Sequence, residues 1–336
     1  MRLHSLIPII PTNLVSALED CGIKIDTDLL FFDGTNVELL AKLPPGIVSL
    51  RELEEYTSLV AEHASAPAIR ADQELEVALL RQRENALNIS CGVQELDALV
   101  EGFGGGRVFE ISGEKGSGKT ALALQISLCM LAAHANTAVL WMDTCGDFSL
   151  ERTLRVASEL NIEATSTVLE RLQVSLVLNI ETAQDLVSEL CSSVDTASEL
   201  GAPRIRCIVI DSITPLLAPS LTAFSAQGHA TMSTFMRELR DLARTHYFTF
   251  LVVNNTSSYL PHNPDSAFAS TTRKPALGPS FTFLTDCTLW LAKSKNIEET
   301  EGATSMHVAE VFRSRMTQSK RWCSFKIHRG VLYSTT

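Results

Sequence analysis

Hydrophobic positions along the chain change period near residue 85. Over residues 1–62 they come in short clusters broken by turn signals: Val15, Leu18, Ile23 and Ile25, then Leu29, Leu30 and Phe31. Asp33-Gly34 is a turn, 39–43 is mostly apolar, and Pro44-Pro45-Gly46 is a sharp stop. Leu50, Leu53, Tyr56 and Leu59 then recur at three-residue steps, which predicts one helix face. The pattern predicts a small helical domain over 1–62. It reads either as a docking or DNA-touching module or as a helical cap that only packs. Residues 63–86 begin with small residues and Pro67, become charged and helix-prone, and read as a linker. From residue 87 to 336 strands and helices alternate. Strands are predicted at 108–112, 137–143, 207–211 and 248–254. An apolar helix is predicted over 120–133, and a second helix has Met232, Phe235, Met236, Leu239 and Leu242 on one face. This alternation predicts an α/β domain with a mostly parallel sheet. After 281 the strands follow with little helix between them (281–292, 306–312, 322–327), predicting an antiparallel extension.

Composition narrows the function classes. The 336 residues are 45% hydrophobic and 20% charged, enough apolar material for a core and too much for a mainly disordered chain. The net charge of −11 is unlike that of a non-specific polyanion binder, so nucleic-acid contact is expected to be local or supplied by a partner. The acidity is strongest in residues 1–86, with 14 acidic against 7 basic residues; such a face either solvates or binds a partner. The uncharged stretches 121–142 and 212–236 are too polar or too rich in proline to predict a membrane span, and the first thirteen residues do not read as a signal peptide. Eight scattered cysteines without a C-x-x-C pair point away from zinc clusters and disulfide scaffolds and toward a reducing compartment.

The strongest chemical signal is Gly113, Glu114, Lys115, Gly116, Ser117, Gly118, Lys119 and Thr120, which fits G-x-x-x-x-G-K-[ST] between a strand and an apolar helix. Glycines let successive backbone N–H groups curl around phosphate oxygens at the positive end of that helix. Lys119 reaches the β- and γ-phosphates in such a loop, and the Thr120 hydroxyl binds Mg²⁺. Residues 207–211 form an apolar strand ending in Asp211, which delivers a carboxylate to the place where Mg²⁺ sits in P-loop nucleotide hydrolases.

These residues, with Ile89, Gly92, Leu96 and Asp97 and then Gly106, Glu110 and Gly113, resemble the lead-in to the ATP site of RecA/RadA-type recombinases. Asp143-Thr144, Asp211-Ser212, Val253-Asn254 and Lys274-Pro275 with Gly278 fall in that family's order. The resemblance covers about 85–335 and extends weakly to 1–62. It is closest to the eukaryotic recombinase-paralogue branch, the D paralogue above all. It implies a RecA-type ATPase core, ATP and Mg²⁺ as cofactors, and a nuclear protein.

The departures from the pattern shape the expected function. Active members carry Glu after Asp-Thr to position the attacking water; here Cys145 stands there, and a thiol cannot hold water as a carboxylate does. Asp147, two residues on, is the possible substitute. Asn255 replaces a Gln that senses the γ-phosphate in active members. The resemblance implies that Arg152 stacks on adenine; the alternative is an ordinary solvated arginine. It also implies that 214–230 and 256–279 are the loops that bind single-stranded DNA. The first has no Lys or Arg, and the second has only Arg273 and Lys274, with Tyr259 and Phe268 as stacking candidates. The same resemblance offers an alternative, in which Lys274-Pro275 caps a neighbouring subunit's ATP. From 311 to 336 there are six basic residues and no acidic one: Arg313, Arg315, Lys320, Arg321, Lys326 and Arg329. They read as contacts to DNA or a partner subunit, or as solvated strand faces. The linker lacks the aromatic hook by which family filaments self-assemble.

The expected function is an ATP-binding recombinase paralogue of homologous recombination and double-strand-break repair. It would be a largely non-catalytic subunit of a heteromeric complex with other paralogues, helping the main recombinase assemble on single-stranded or branched DNA, without a membrane role. The alternatives are an active DNA-dependent ATPase and a P-loop small-molecule kinase.

Overall fold

A computed structural model describes residues 2–65, 70–72, 75–77, 79–80, 87–197, 203–221, 226–294 and 304–335. The chain divides into two compact units, Met1–Ala78 and Leu79–Thr336. Most of the 63–86 linker lies outside the described residues.

In the first unit, helices α1 (Thr12–Asp20), α2 (Asp26–Leu30), α3 (Asn36–Lys42) and α4 (Leu50–Ala64) surround a core of Leu3, Leu6, Leu14, Leu18, Leu39, Leu53 and Val60. Two local signals start helices here. Thr35 and Glu38, and then Ser49 and Glu52, exchange side-chain and backbone hydrogen bonds that satisfy the free N–H groups of α3 and α4. The buried face of α4 differs from the expected one. Leu53 and Val60 are buried with Tyr56 half-buried against them, while Leu59 is 43% exposed. At 3.6 residues per turn, three-residue steps drift round the helix, and nine residues from Leu50 bring Leu59 to the opposite side.

The second unit is a nine-stranded sheet between two helical layers. Its strands are β1 (Val108–Gly113), β2 (Thr137–Asp143), β3 (Leu172–Leu176), β4 (Arg204–Asp211) and β5 (Thr249–Asn254), then β8 (Cys287–Lys293), β9 (Ser305–Ser314), β10 (Trp322–His328) and β11 (Val331–Ser334). The order is β11-β10-β9-β8-β1-β5-β4-β2-β3. From β8 to β3 the pairing is parallel, and from β8 to β11 it is antiparallel. The continuous apolar runs mark strands covered on both faces, as β1, β2 and β5 are along their whole length. The edge strand β3, half exposed and not apolar throughout, gave no such signal.

One helical layer contains α5 (Gln94–Val100), α6 (Lys119–Ala133), α7 (Leu150–Glu159) and α8 (Thr165–Leu169). The other contains α9 (Ile180–Ala197), α10 (Ile213–Leu217), α11 (Ala226–His246) and α12 (Gly278–Leu284). Helix α12 corrects the strand expected at 281–292, which begins only at Cys287. Pro279 occupies the first turn, where its fixed φ suits a helix, and that start overrides the β propensity of Phe281 and Phe283. Inside the expected loop 256–279, β6 (Thr256–Ser258) and β7 (Arg273–Pro275) pair as a small ribbon.

Candidate nucleotide site

The parallel strands align Gly113, Asp143, Asp211 and Asn254 along one rim of the sheet, because Asp143 pairs with Asp211 and Asn254 with Ser112. A cleft of ≈ 1070 Å³ opens above this rim. The loop 113–118 bends from β1 into α6, whose first free N–H groups face the cleft at the positive end of the helix. Gly118 sits at φ 99°, a backbone conformation that a side chain resists. Lys119 Nζ donates to the carbonyls of Gly113 (2.8 Å) and Glu114 (2.9 Å), so the lysine lies along its own loop. Burial lowers its pKa, while Asp211 and Glu114 pull the other way.

Asp211 ends β4 beside Thr120, whose hydroxyl hydrogen-bonds its carboxylate. Burial pushes the Asp211 pKa up, and Thr120, Arg152 and Lys119 draw it back. A hydroxyl and a carboxylate beside a phosphate loop suit Mg²⁺, which keeps several waters and takes few protein ligands. Among the described residues no three acidic, His or Cys side chains gather to hold a metal by themselves.

Asp143 has a different task. Its Oδ1 accepts the N–H groups of Cys145 (3.1 Å), Gly146 (2.9 Å) and Asp147 (3.2 Å), and Oδ2 accepts that of Phe148 (2.9 Å). Burial pushes its pKa up, but these four donors outweigh it and hold the carboxyl below its ordinary value. Asp143 is thus committed to folding the loop that carries Cys145 and Asp147, both of which line the cleft. Thr144 locks this loop to its neighbour by exchanging hydrogen bonds with the Ser212 backbone at 2.8 Å each.

Most of the expected nucleotide residues meet in the cleft: Gly113, Lys115, Gly116, Gly118, Lys119 and Thr120, with Arg152 and Asn255. Ser117 is buried, and its carbonyl accepts from His307 Nδ1 at 3.1 Å. The Glu114 carboxylate instead pairs with Arg273 at 3.1 Å. Neighbouring Glu151 pairs with Arg155, leaving Arg152 to line the cleft. Sequence reasoning missed the wall made by Trp141 and Phe148, whose rings meet edge-on at 5.5 Å, and by His307 and Ile327 of the antiparallel extension. Trp141 read as ordinary strand core, and nothing local to positions 307 or 327 marks a ligand.

It also missed a buried network behind the cleft. Asn254 Nδ2 donates to Glu110 Oε1 (2.6 Å) and to the Ala276 carbonyl (3.1 Å), while its Oδ1 accepts from Thr214 (2.8 Å). Thr214 Oγ1 in turn accepts the Asn255 N–H at 3.0 Å. These bonds join the cleft to the start of 214–230 and the end of 256–279.

The expected DNA contacts are scattered and largely engaged. Residues 222–225 of the first loop lie outside the described residues. In the second loop, Lys274 Nζ stands 4.7 Å from the Tyr259 ring centre, and Phe268 lies against Trp322 at 5.4 Å. Ser266 donates to Glu310 at 2.7 Å, and Lys320 donates to the Pro264 carbonyl at 3.0 Å. Arg313 and Arg315 donate to the carbonyls of Thr282 and Phe283 at the C-terminal end of α12, both at 2.8 Å. Arg329 pairs with Glu159, and Arg321 is exposed.

The Rad51 family model matches residues 82–320. The DNA repair protein RAD51 homolog 4 of Bos taurus is 30% identical over 298 residues, covering 87% of this chain and 85% of that protein. Its counterpart in Mus musculus is 28% identical over 308 residues, covering 90% and 85%. The DNA repair and recombination protein RadA of Methanococcus maripaludis is 26% identical over 233 residues, covering 62% and 69%. In architecture the chain is similar to the crystal structure of the RadB recombinase. The TM-score is 0.57 at 23% identity, over 74% of this chain and all of that one. The chain belongs to the Rad51 family, as a paralogue of the RecA-like recombinases.

Proposed function

We propose that this chain acts in the nucleus as a DNA-repair subunit that binds Mg·ATP and hydrolyses it poorly. One observation carries the reading. Lys119, Thr120 and Asp211 converge on the cleft as a nucleotide requires, yet Cys145 lines it where active recombinases have Glu, and Asp143 is occupied by four backbone donors. In this role Lys119 would neutralise phosphate charge, and Thr120 and Asp211 would hold a Mg²⁺ that would supply further positive charge at the phosphates. Bound ATP stabilises the folded subunit and its contacts by mass action. The subunit works in a heteromeric complex with other paralogues that helps the main recombinase assemble on single-stranded DNA. The names of its relatives, DNA repair protein RAD51 homolog 4, support the repair role.

Asp147 favours a second reading. It also lines the cleft, so its carboxylate could orient water and make the chain an active DNA-dependent ATPase. The discriminating experiment measures nucleotide binding and turnover of wild type, Lys119→Ala, Cys145→Glu and Asp147→Asn, with and without single-stranded DNA. Tight binding with little turnover, lost in Lys119→Ala and raised in Cys145→Glu, is the expected result. Fast DNA-stimulated turnover that disappears in Asp147→Asn would establish the second reading.

A further inference from the structure

The opposite end of the sheet carries a concentration of positive charge. Strands β1 and β8 are parallel, so the rim that starts at Val108 and Cys287 lies one strand length from the cleft, about 20 Å for six residues. There the Asp286 carboxylate is buried, and its Oδ2 accepts the Val108 N–H at 3.0 Å. Its Oδ1 lies 3.8 Å from Arg240 Nε and 3.7 Å from Arg244 Nη2, too far for a good hydrogen bond to either. Arg313, near the end of β9, and Arg315, just beyond it, join them. Burial and the neighbouring guanidiniums both depress Arg240 and Arg313.

The cluster exceeds what the fold needs. One arginine would neutralise Asp286, and Arg240 also feels the carboxylate of Asp241. Four guanidiniums therefore gather near three carboxylates, Asp286, Asp241 and the buried Glu110, in a chain whose net charge is −11. Arg237, exposed and three residues before Arg240, extends the row along α11. The Arg240 side chain is only 14% exposed, and its Nε has no hydrogen-bond partner. Proteins seldom leave a buried donor unfilled without a use for it. Beside the arginines the Phe283 ring is 59% exposed, with the Arg313 guanidinium 4.2 Å from its centre.

We propose that this arginine–phenylalanine patch binds single-stranded DNA, taking phosphates on Arg237, Arg240 and Arg244 and a base on Phe283. Guanidinium forks suit phosphate oxygens, and an exposed ring beside them suits an unpaired base. The loops expected to hold the strand offer little competing charge: 214–230 has no Lys or Arg, and Arg273 and Lys274 of 256–279 are already engaged. The choice of DNA over another polyanion rests on the repair reading above.

The test is fluorescence anisotropy of a labelled oligothymidylate titrated with the full chain at several salt concentrations. Charge reversal of two exposed residues, Arg237→Glu with Arg244→Glu, should weaken binding at least about tenfold and reduce the log–log salt slope by about 1.4, two phosphates at 0.7 each. Photocrosslinking of an iododeoxyuridine oligonucleotide to the wild type should label the peptide containing Phe283, a measurement that needs no variant. Three results would overturn the proposal: no binding by the wild type, unchanged affinity and slope in the reversal variant, or crosslinks confined to 214–230 and 256–279. Loss of affinity for an oligoglutamate peptide with oligothymidylate binding intact would also refute it and mark an acidic protein partner instead. Intact nucleotide binding in any of these outcomes leaves the ATP reading standing; its absence in the wild type would sink that reading alone.

Discussion

Glu110 should make the stability of the second unit depend on pH, and Glu110→Gln should remove that dependence. The carboxyl lies on β1 and is fully buried, accepting from Asn254 Nδ2 at 2.6 Å and from Thr288 Oγ1 at 2.8 Å. Burial pushes its pKa up to about 7, against the pull of Asn254, Thr288 and the Arg313 charge. The folded value lies above the ordinary one of 4.5, so between the two the folded chain holds a proton that the unfolded chain has released. The stabilisation is therefore complete below about pH 4.5 and is lost as pH rises through 7. The loss amounts to about 3 kcal/mol at 1.36 kcal/mol per pKa unit. Glutamine keeps an acceptor for Asn254 and can turn its amide toward the Thr288 hydroxyl oxygen. Relative to wild type, Glu110→Gln should gain about 3 kcal/mol between pH 4.5 and 8. Urea unfolding followed by tryptophan fluorescence reads this unit alone, because Trp141, Trp290 and Trp322 all lie in it. A stability difference that stays flat across this range would refute the reasoning.

Two further substitutions test the cleft. Asp143→Asn keeps an acceptor for three N–H groups but leaves that of Phe148 facing an amide, so it should cost about 2 kcal/mol in urea unfolding at pH 7. Because the folded Asp143 pKa is depressed, the penalty should be complete above the ordinary carboxylate value and shrink as pH falls through the folded one. The Glu114–Arg273 pair is exposed on both sides, so a double-mutant cycle to alanine should give a coupling below about 1 kcal/mol. A larger coupling would mean that the pair is shielded from solvent in solution.

The parts of the fold legible in the sequence were those written locally. The phosphate loop is eight contiguous residues between a strand and a helix, and Asp211 is the polar end of an apolar run, so both sites could be placed without a partner in view. Leu59 was misplaced because three-residue spacing only approximates a helix turn, and Phe281 because a Pro-initiated helix overrode β propensity.

The sequence by itself determined the alternation of helix and strand, the phosphate loop, and the thiol at position 145. Tertiary structure decided what those residues meet. Glu110 and Asn254 are 144 positions apart, and Ser117 and His307 are 190 apart. Arg240 and Arg313 come from a helix and a strand that no periodicity links. The physical reason is that helix and strand periods report which face of an element is buried. The partner across that face is set by sheet order and by the burial of polar groups, which must find one another wherever the chain has carried them.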